Sequence, residues 1–226
     1  SSNIVINTTG AVNISGAVGT DIGTITITNS GGTTFGGTVN ASTITLTNTT
    51  GTVSFNDVLT ASTINTATQA YNVAINASGS IVTDAVTFSN TGTVALGASA
   101  GTQTYTNGIT ATAPSSSTLK GTINSTNAAM SFGAITLGAN TVLNTNATTN
   151  SGTLSVGALT GSSYNLTLST GSGISGANVS GSSFSGTGSL ILQNIGGTAS
   201  FTGGITAGTL TVAGTVNNVS LTGTGG

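Results

Sequence analysis

A phrase of about 20 residues recurs along this chain, and the repetition restricts the possible folds more than any other feature. The clearest copies are TITITNSGGTTFGGTVNA from Thr24, TITLTNTTGTVSFNDVLTA from Thr43, AVTFSNTGTVALGASA from Ala85 and SLILQNIGGTASFTGGITA from Ser189. Ile25 and Ile44 are 19 residues apart, and Phe35 and Phe55 are 20 apart. A repeat of this length at a fixed spacing is typical of the rung of a solenoid.

Apolar and polar residues alternate within each phrase. In TITLTN, Ile44 and Leu46 alternate with Thr43, Thr45 and Thr47. Successive side chains of a strand point to opposite faces, so this pattern predicts a strand with one buried face. A helix would need apolar residues at three- and four-residue spacing and fewer glycines and β-branched residues.

The sequence therefore predicts an all-β fold, a parallel β-solenoid or β-helix with rungs of about 20 residues. A sandwich repeats by pattern more than by near-identical phrases, and a transmembrane barrel needs aromatic girdles that 4% aromatic residues cannot supply. We expect residues 1–226 to form one continuous array of about 11 rungs, a rod about 50 Å long. Irregular stretches are expected at 101–121, which holds Pro114 and Lys120, and at 171–188, which is rich in Gly and Ser.

Two sets of residues are expected to hold the rungs in shape. An Asn that precedes a Gly suits a corner, because both residues tolerate positive φ. The expected corners are Asn29, Asn48, Asn90 and Asn194, and the expected core aromatic residues are Phe35, Phe55 and Phe201. Phe201 follows Phe55 by 146 residues, close to seven periods of 21, which predicts the same position in the rung.

The charge of the chain excludes several classes of function. In 226 residues there are three acidic side chains, Asp21, Asp57 and Asp84, one cation, Lys120, and neither His nor Cys. Nucleic-acid binding depends on neutralising phosphates, and attraction to an anionic membrane surface depends on basic clusters, so neither partner is expected. No apolar run approaches the ~18 residues of a membrane-spanning helix, so membrane insertion is not expected either.

The same composition argues against catalysis. Without His, a nucleophilic triad of the usual kind cannot be assembled, and three scattered Asp residues cannot build a row of calcium sites. Asp21 and Asp84 are 63 residues apart, about three rungs, which exceeds the separation of glycosidase carboxylates. We expect no enzyme activity, no metal site and no cofactor.

Strand patterns continue to both ends of the sequence. NIVIN near the start and VNNVSLTG near the end both alternate as strands do. Open strand edges at the ends of a solenoid favour pairing, so we expect either continuation in a longer chain or self-association end to end.

Several phrases resemble the repeats of large bacterial exoproteins of the filamentous-haemagglutinin and autotransporter adhesin type. The resemblance rests on TITLTNTTGTVSFNDVLTA, GTQTYTNGITA and GAITLGANTVLNTNA, and most of the chain shares this idiom. It implies secretion, a right-handed β-helix shaft at the cell surface, and a role in adhesion, biofilm or surface fibres, with surface glycans or host receptors as partners.

Two functions stay open. The first is an extracellular structural or adhesive protein, acting as a shaft or as the subunit of a filament. The alternative is a flat binding module for ice or glycan, because Thr24, Thr26 and Thr28, followed by the Thr-x-Thr of the next rung, form outward rows of hydroxyl groups. Leu190-Ile191-Leu192 breaks this pattern later in the sequence.

Overall fold

The computed structural model describes residues 1–150 and 152–223, and these residues form a parallel β-solenoid. The described chain is all-β, without a helix, and coils through about 10 turns of about 21 residues each. The predicted fold class and rung length are therefore confirmed. At about 4.8 Å per turn, the coil extends roughly 50 Å along its axis.

Twenty-two strands make up the described coil. They are β1 (Ser2–Asn7), β2 (Val12–Ile14), β3 (Val18–Ser30), β4 (Thr33–Phe35), β5 (Val39–Thr49), β6 (Thr52–Phe55), β7 (Leu59–Thr66), β8 (Asn72–Ile75), β9 (Ile81–Val82), β10 (Val86–Thr87), β11 (Thr93–Leu96), β12 (Thr102–Tyr105), β13 (Ile109–Ala111), β14 (Ser116–Asn124), β15 (Met130–Phe132), β16 (Ile135–Asn144), β17 (Leu154–Ser162), β18 (Leu166–Ser169), β19 (Val179–Gly186), β20 (Ser189–Phe201), β21 (Ile205–Thr206) and β22 (Thr209–Leu221). The longest of them bend at a corner and contribute to two sides of the coil.

Parallel pairing from turn to turn sorts these strands into three faces, each with a column of inward side chains. The column of face A is Ile4, Ile25, Ile44, Ile64, Val86, Ile109, Met130, Leu154, Val179, Ala199 and Val219. The column of face B is Val12, Thr33, Val53, Val73, Val94, Ser117, Ile135, Leu159, Phe184 and Ile205. The column of face C includes Val18, Val39 and Leu59 and, further along, Gln103, Ile123, Leu143, Leu168, Leu192 and Val212.

The three inward columns meet as one continuous core. Most of their members, such as Ile25, Val53 and Leu168, are fully buried. Burying each aliphatic side chain contributes about 1.5–3 kcal/mol, and stacking like residues at one turn's spacing fills the interior with few aromatic rings. The strict alternation read from the sequence is what places these side chains inside.

The segments expected to be irregular contain regular strands. Residues 101–121 hold β12, β13 and the first part of β14, and only 112–115 between β13 and β14 leave the strand pattern. Residues 171–178 lack a named strand, but β19 follows directly and fills most of the remainder of 171–188. Both segments therefore continue the coil, and their departures from it are confined to the connections.

Within the part of the chain that is described, no helix has the length and hydrophobicity needed to cross a membrane.

Candidate binding surfaces

The acidic residues are dispersed over the coil. Asp21 adjoins Ile22, which is related through Ala41 and Ala61 to Val82, so Asp21 and Asp84 lie three turns apart. Three turns correspond to about 14 Å along the axis. Asp57 lies between β6 and β7, where its carboxylate accepts the backbone N–H of Val58 at 2.7 Å. The carboxylate of Asp84 accepts a hydrogen bond from the hydroxyl of Thr63 at 2.6 Å.

The four asparagines singled out from the sequence occupy three kinds of position. Asn29 and Asn48 pair with each other inside β3 and β5, on the outer surface at the end of face A. Asn90 is fully buried, and its side-chain amide donates to the carbonyl of Tyr71 at 2.9 Å. Asn194 has φ 51° inside β20, so it takes the positive φ expected of a corner.

The three phenylalanines are all buried, but they do not share one column. Phe35 and Phe55 are register partners on face B, and their rings stack with centroids 4.9 Å apart and planes 2° from parallel. Phe201 pairs with Gly181 and Leu221 and belongs to face A. The extrapolation over seven equal periods is therefore wrong, because the turns lengthen along the chain.

A buried polar cluster on face C has no counterpart among the sequence predictions. The side-chain amide of Gln103 donates to the carbonyls of Ile75 and Ala77 at 2.8 and 2.9 Å, and its oxygen accepts the hydroxyl of Tyr105 at 3.1 Å. Burial raises the pKa of the Tyr105 hydroxyl well above its ordinary value. The available signal was the position of Gln103, which alternates with Tyr105 on the inward side of β12. The cluster is fully paired and serves the interior.

Face A carries an unbroken outward column of small polar side chains along the coil. Its members are register partners from one turn to the next, and nearly all of them carry a hydroxyl group. After Val5 the column runs Thr26, Thr45, Asn65, Thr87, Thr110, Ser131, Ser155, Ser180, Ser200 and Ser220.

This column changes the interpretation of the Thr rows. Ile191, which breaks the pattern in the sequence, pairs with Thr167 and Thr211 on face C. At the same turn, face A presents Ser200. The hydroxyl column of face A is therefore continuous, although its later members are Ser in place of Thr. Such a column offers donors and acceptors about 4.8 Å apart along a straight line.

The described residues contain no group of three or more Asp, Glu, His or Cys side chains that could hold a metal ion. Comparison with protein families, with curated proteins and with solved structures found no match to this chain.

Proposed function

We propose that this chain is the shaft of an extracellular surface protein, a structural or adhesive rod of the filamentous-haemagglutinin and autotransporter type. The observation that carries the proposal is the unbroken outward column of hydroxyl and amide side chains over a continuous apolar core. A rod built in this way holds its outer groups at a fixed spacing without any dedicated reactive centre.

The nearly uncharged surface supports this role. With a formal net charge of −2 at pH 7 over 226 residues, the rod has little long-range repulsion toward other copies or toward neutral surfaces. Hydroxyl-lined sides also tolerate high local density, because neighbouring rods meet through neutral polar groups.

Surface exposure is tested by treating intact cells of the source organism with a non-specific protease and detecting the chain with an antibody. We expect the antibody signal to disappear without cell lysis, while a cytoplasmic marker is unaffected. A signal that disappears only after lysis would contradict the extracellular placement.

Electron microscopy of the purified chain then distinguishes the two forms of the proposal. Separate rods about 50 Å long indicate one stretch of a shaft, and long filaments with the same width indicate a self-assembling subunit. Globular particles without rods would contradict both forms.

The in-register hydroxyl column of face A supports a second candidate, binding of ice on a flat face. Thermal hysteresis of the purified chain tests it, with Thr87→Lys and Thr110→Lys on face A against Thr118→Lys and Thr136→Lys on face B. Activity lost only in the face A variants would support ice binding. Absence of hysteresis in the unmodified chain at high concentration would remove this candidate.

We propose no catalytic role for the acidic residues. The three-turn separation of Asp21 and Asp84 exceeds the roughly 5–9.5 Å that glycosidase carboxylates need, and Asp57 already bonds its own backbone. Hydrolysis of a polysaccharide that is abolished by Asp57→Asn or Asp84→Asn would overturn this conclusion.

A further inference from the structure

A polar groove runs along the corner where face C meets face A in the first turns of the coil. Its volume is about 340 Å³, within the range of small-molecule sites. One wall is formed by Asn40 and Thr60, which are register partners, and the other by Ser42 and Ser62. Between them, the paired residues Ala41 and Ala61 form the floor, and Thr20 and Thr83 extend the walls toward the two ends.

The groove exists because the strand bends here. In β5, Ala41 and Ile44 both point inward and are separated by Ser42 and Thr43, so the alternation is interrupted at the corner. The same interruption recurs in β7 at Ala61 and Ile64. Repetition at the same register turns a local bend into a channel parallel to the axis.

The wall side chains are available to a ligand. Asn40, Ser42, Thr60 and Ser62 are all exposed, and among the hydrogen bonds of the described residues their side chains make none. Thr63, one residue away, is by contrast engaged with the carboxylate of Asp84. The walls therefore offer one amide and three hydroxyl groups, each able to donate and accept.

The charges beside the groove select against anions. Asp21 follows Thr20 at one end and Asp84 follows Thr83 at the other, so two carboxylates adjoin the lining. The single cation of the chain, Lys120, belongs to β14 at the end of its face B segment. A sulfated or carboxylated ligand would find repulsion without a compensating cation.

We propose that this groove binds a short neutral oligosaccharide, lying parallel to the solenoid axis. Wall groups repeat at about 4.8 Å, close to the advance per sugar in an extended polysaccharide, and the floor of alanine suits the apolar face of a pyranose ring. Backbone groups of these turns are already paired within the sheet, so an extended peptide would find no free edge there. The inference adds a ligand class to the adhesive role proposed above.

The test is a titration of the isotope-labelled chain, followed by nuclear magnetic resonance, with neutral hexasaccharides of β-linked glucose, mannose and N-acetylglucosamine. A hexasaccharide of galacturonic acid serves as the acidic comparison. We expect at least one neutral sugar to shift the amide signals of residues 40–42 and 60–62, and the acidic sugar to leave them unchanged.

Two matched variants locate the binding. Thr60→Val with Ser62→Ala removes two wall hydroxyls, and loss of about two hydrogen bonds should weaken binding about tenfold. Thr110→Val with Ser131→Ala makes the same changes on face A and should leave binding intact.

Three results would overturn the proposal: no shift with any neutral sugar, equal weakening in both variants, or tighter binding of the acidic sugar. The titration uses the purified chain, whereas exposure at the cell surface is measured by protease treatment of cells. Failure of one proposal is therefore distinguishable from failure of the other.

Discussion

At the scale of single residues, the stacked pair Phe35 and Phe55 is the largest aromatic contact of face B. Both rings are buried, and Phe55 also meets Ile75 of the next turn. We expect Phe55→Ala to lower the free energy of unfolding by about 3–5 kcal/mol, because it leaves a cavity between two turns. Denaturant unfolding measures this. Thr45→Ala, on the outer side of face A, is the control and should cost about 1 kcal/mol or less; equal losses would contradict the assignment of inner and outer sides.

Two buried tyrosines make the stability sensitive to alkaline pH. Burial raises the pKa of Tyr71 to about 12, and it raises the pKa of Tyr105 further. Between about pH 10 and pH 12 the unfolded chain releases protons that the folded chain retains. The free energy of unfolding should therefore be constant below about pH 10 and fall as the pH rises toward the folded-state pKa.

Unfolding of the chain at a series of alkaline pH values measures this dependence. Tyr71→Phe combined with Tyr105→Phe should flatten it, at some cost in stability at neutral pH from the lost hydroxyl hydrogen bonds. Tyr164→Phe, at a side chain that is 37% exposed, is the matched control. An unmodified chain whose stability is unchanged up to about pH 12 would contradict the prediction.

At the scale of strands and turns, some connections require glycine because successive turns approach closely. Gly97 has φ 93°, and a Cβ atom there would collide with the carbonyl oxygen of Lys120 in the next turn. We expect Gly97→Ala to lower the free energy of unfolding by at least about 1–3 kcal/mol from the backbone conformation alone. Gly16→Ala is the control, since nothing lies within 4 Å of a Cβ at Gly16. Similar stabilities of the two variants would contradict this account of the turn.

The sequence was sufficient to predict the fold and the rung length but not the phase of each rung. Alternation and spacing identified the strands because inward positions such as Ile25 and Ile44 recur without a gap. The register then drifted: partners are 19 residues apart at Ile25 and Ile44, and 25 apart at Leu154 and Val179. The extra residues enter at corners, where a buried hydroxyl closes each loop onto a backbone carbonyl, as Thr170 does with Ala177 at 2.8 Å.

The candidate groove was beyond prediction for a related reason. Its wall residues, such as Ser42 and Ser62, are ordinary strand residues in the sequence. They become a channel only because the bends of β5 and β7 coincide in register. The Thr rows, by contrast, were visible in the sequence, but their continuity on face A required the knowledge that Ile191 belongs to face C.

At the scale of the whole molecule, stability should vary along the axis, because each turn contacts only its neighbours. The inward columns show the gradient directly: Leu190 and Leu192 in β20 are fully buried, whereas Leu210 and Val212 in β22 are 38% and 52% exposed. Leu210 also lines a cavity of about 210 Å³ with Ile205 and Leu221. Apolar packing on one side only provides roughly half the burial that a central turn obtains.

Hydrogen exchange of the purified chain should follow this gradient. We expect the amides of β22 to exchange faster than those of β20, and those of β16 and β17 to exchange slowest, because local opening is easiest where apolar packing is incomplete. Dilution provides the control: if protection of β22 falls as the chain is diluted, another copy covers this turn in solution. Strong protection of β22 that does not change with concentration would contradict the nearest-neighbour picture, because it would require a single rod to stabilise its last described turn as well as its central ones.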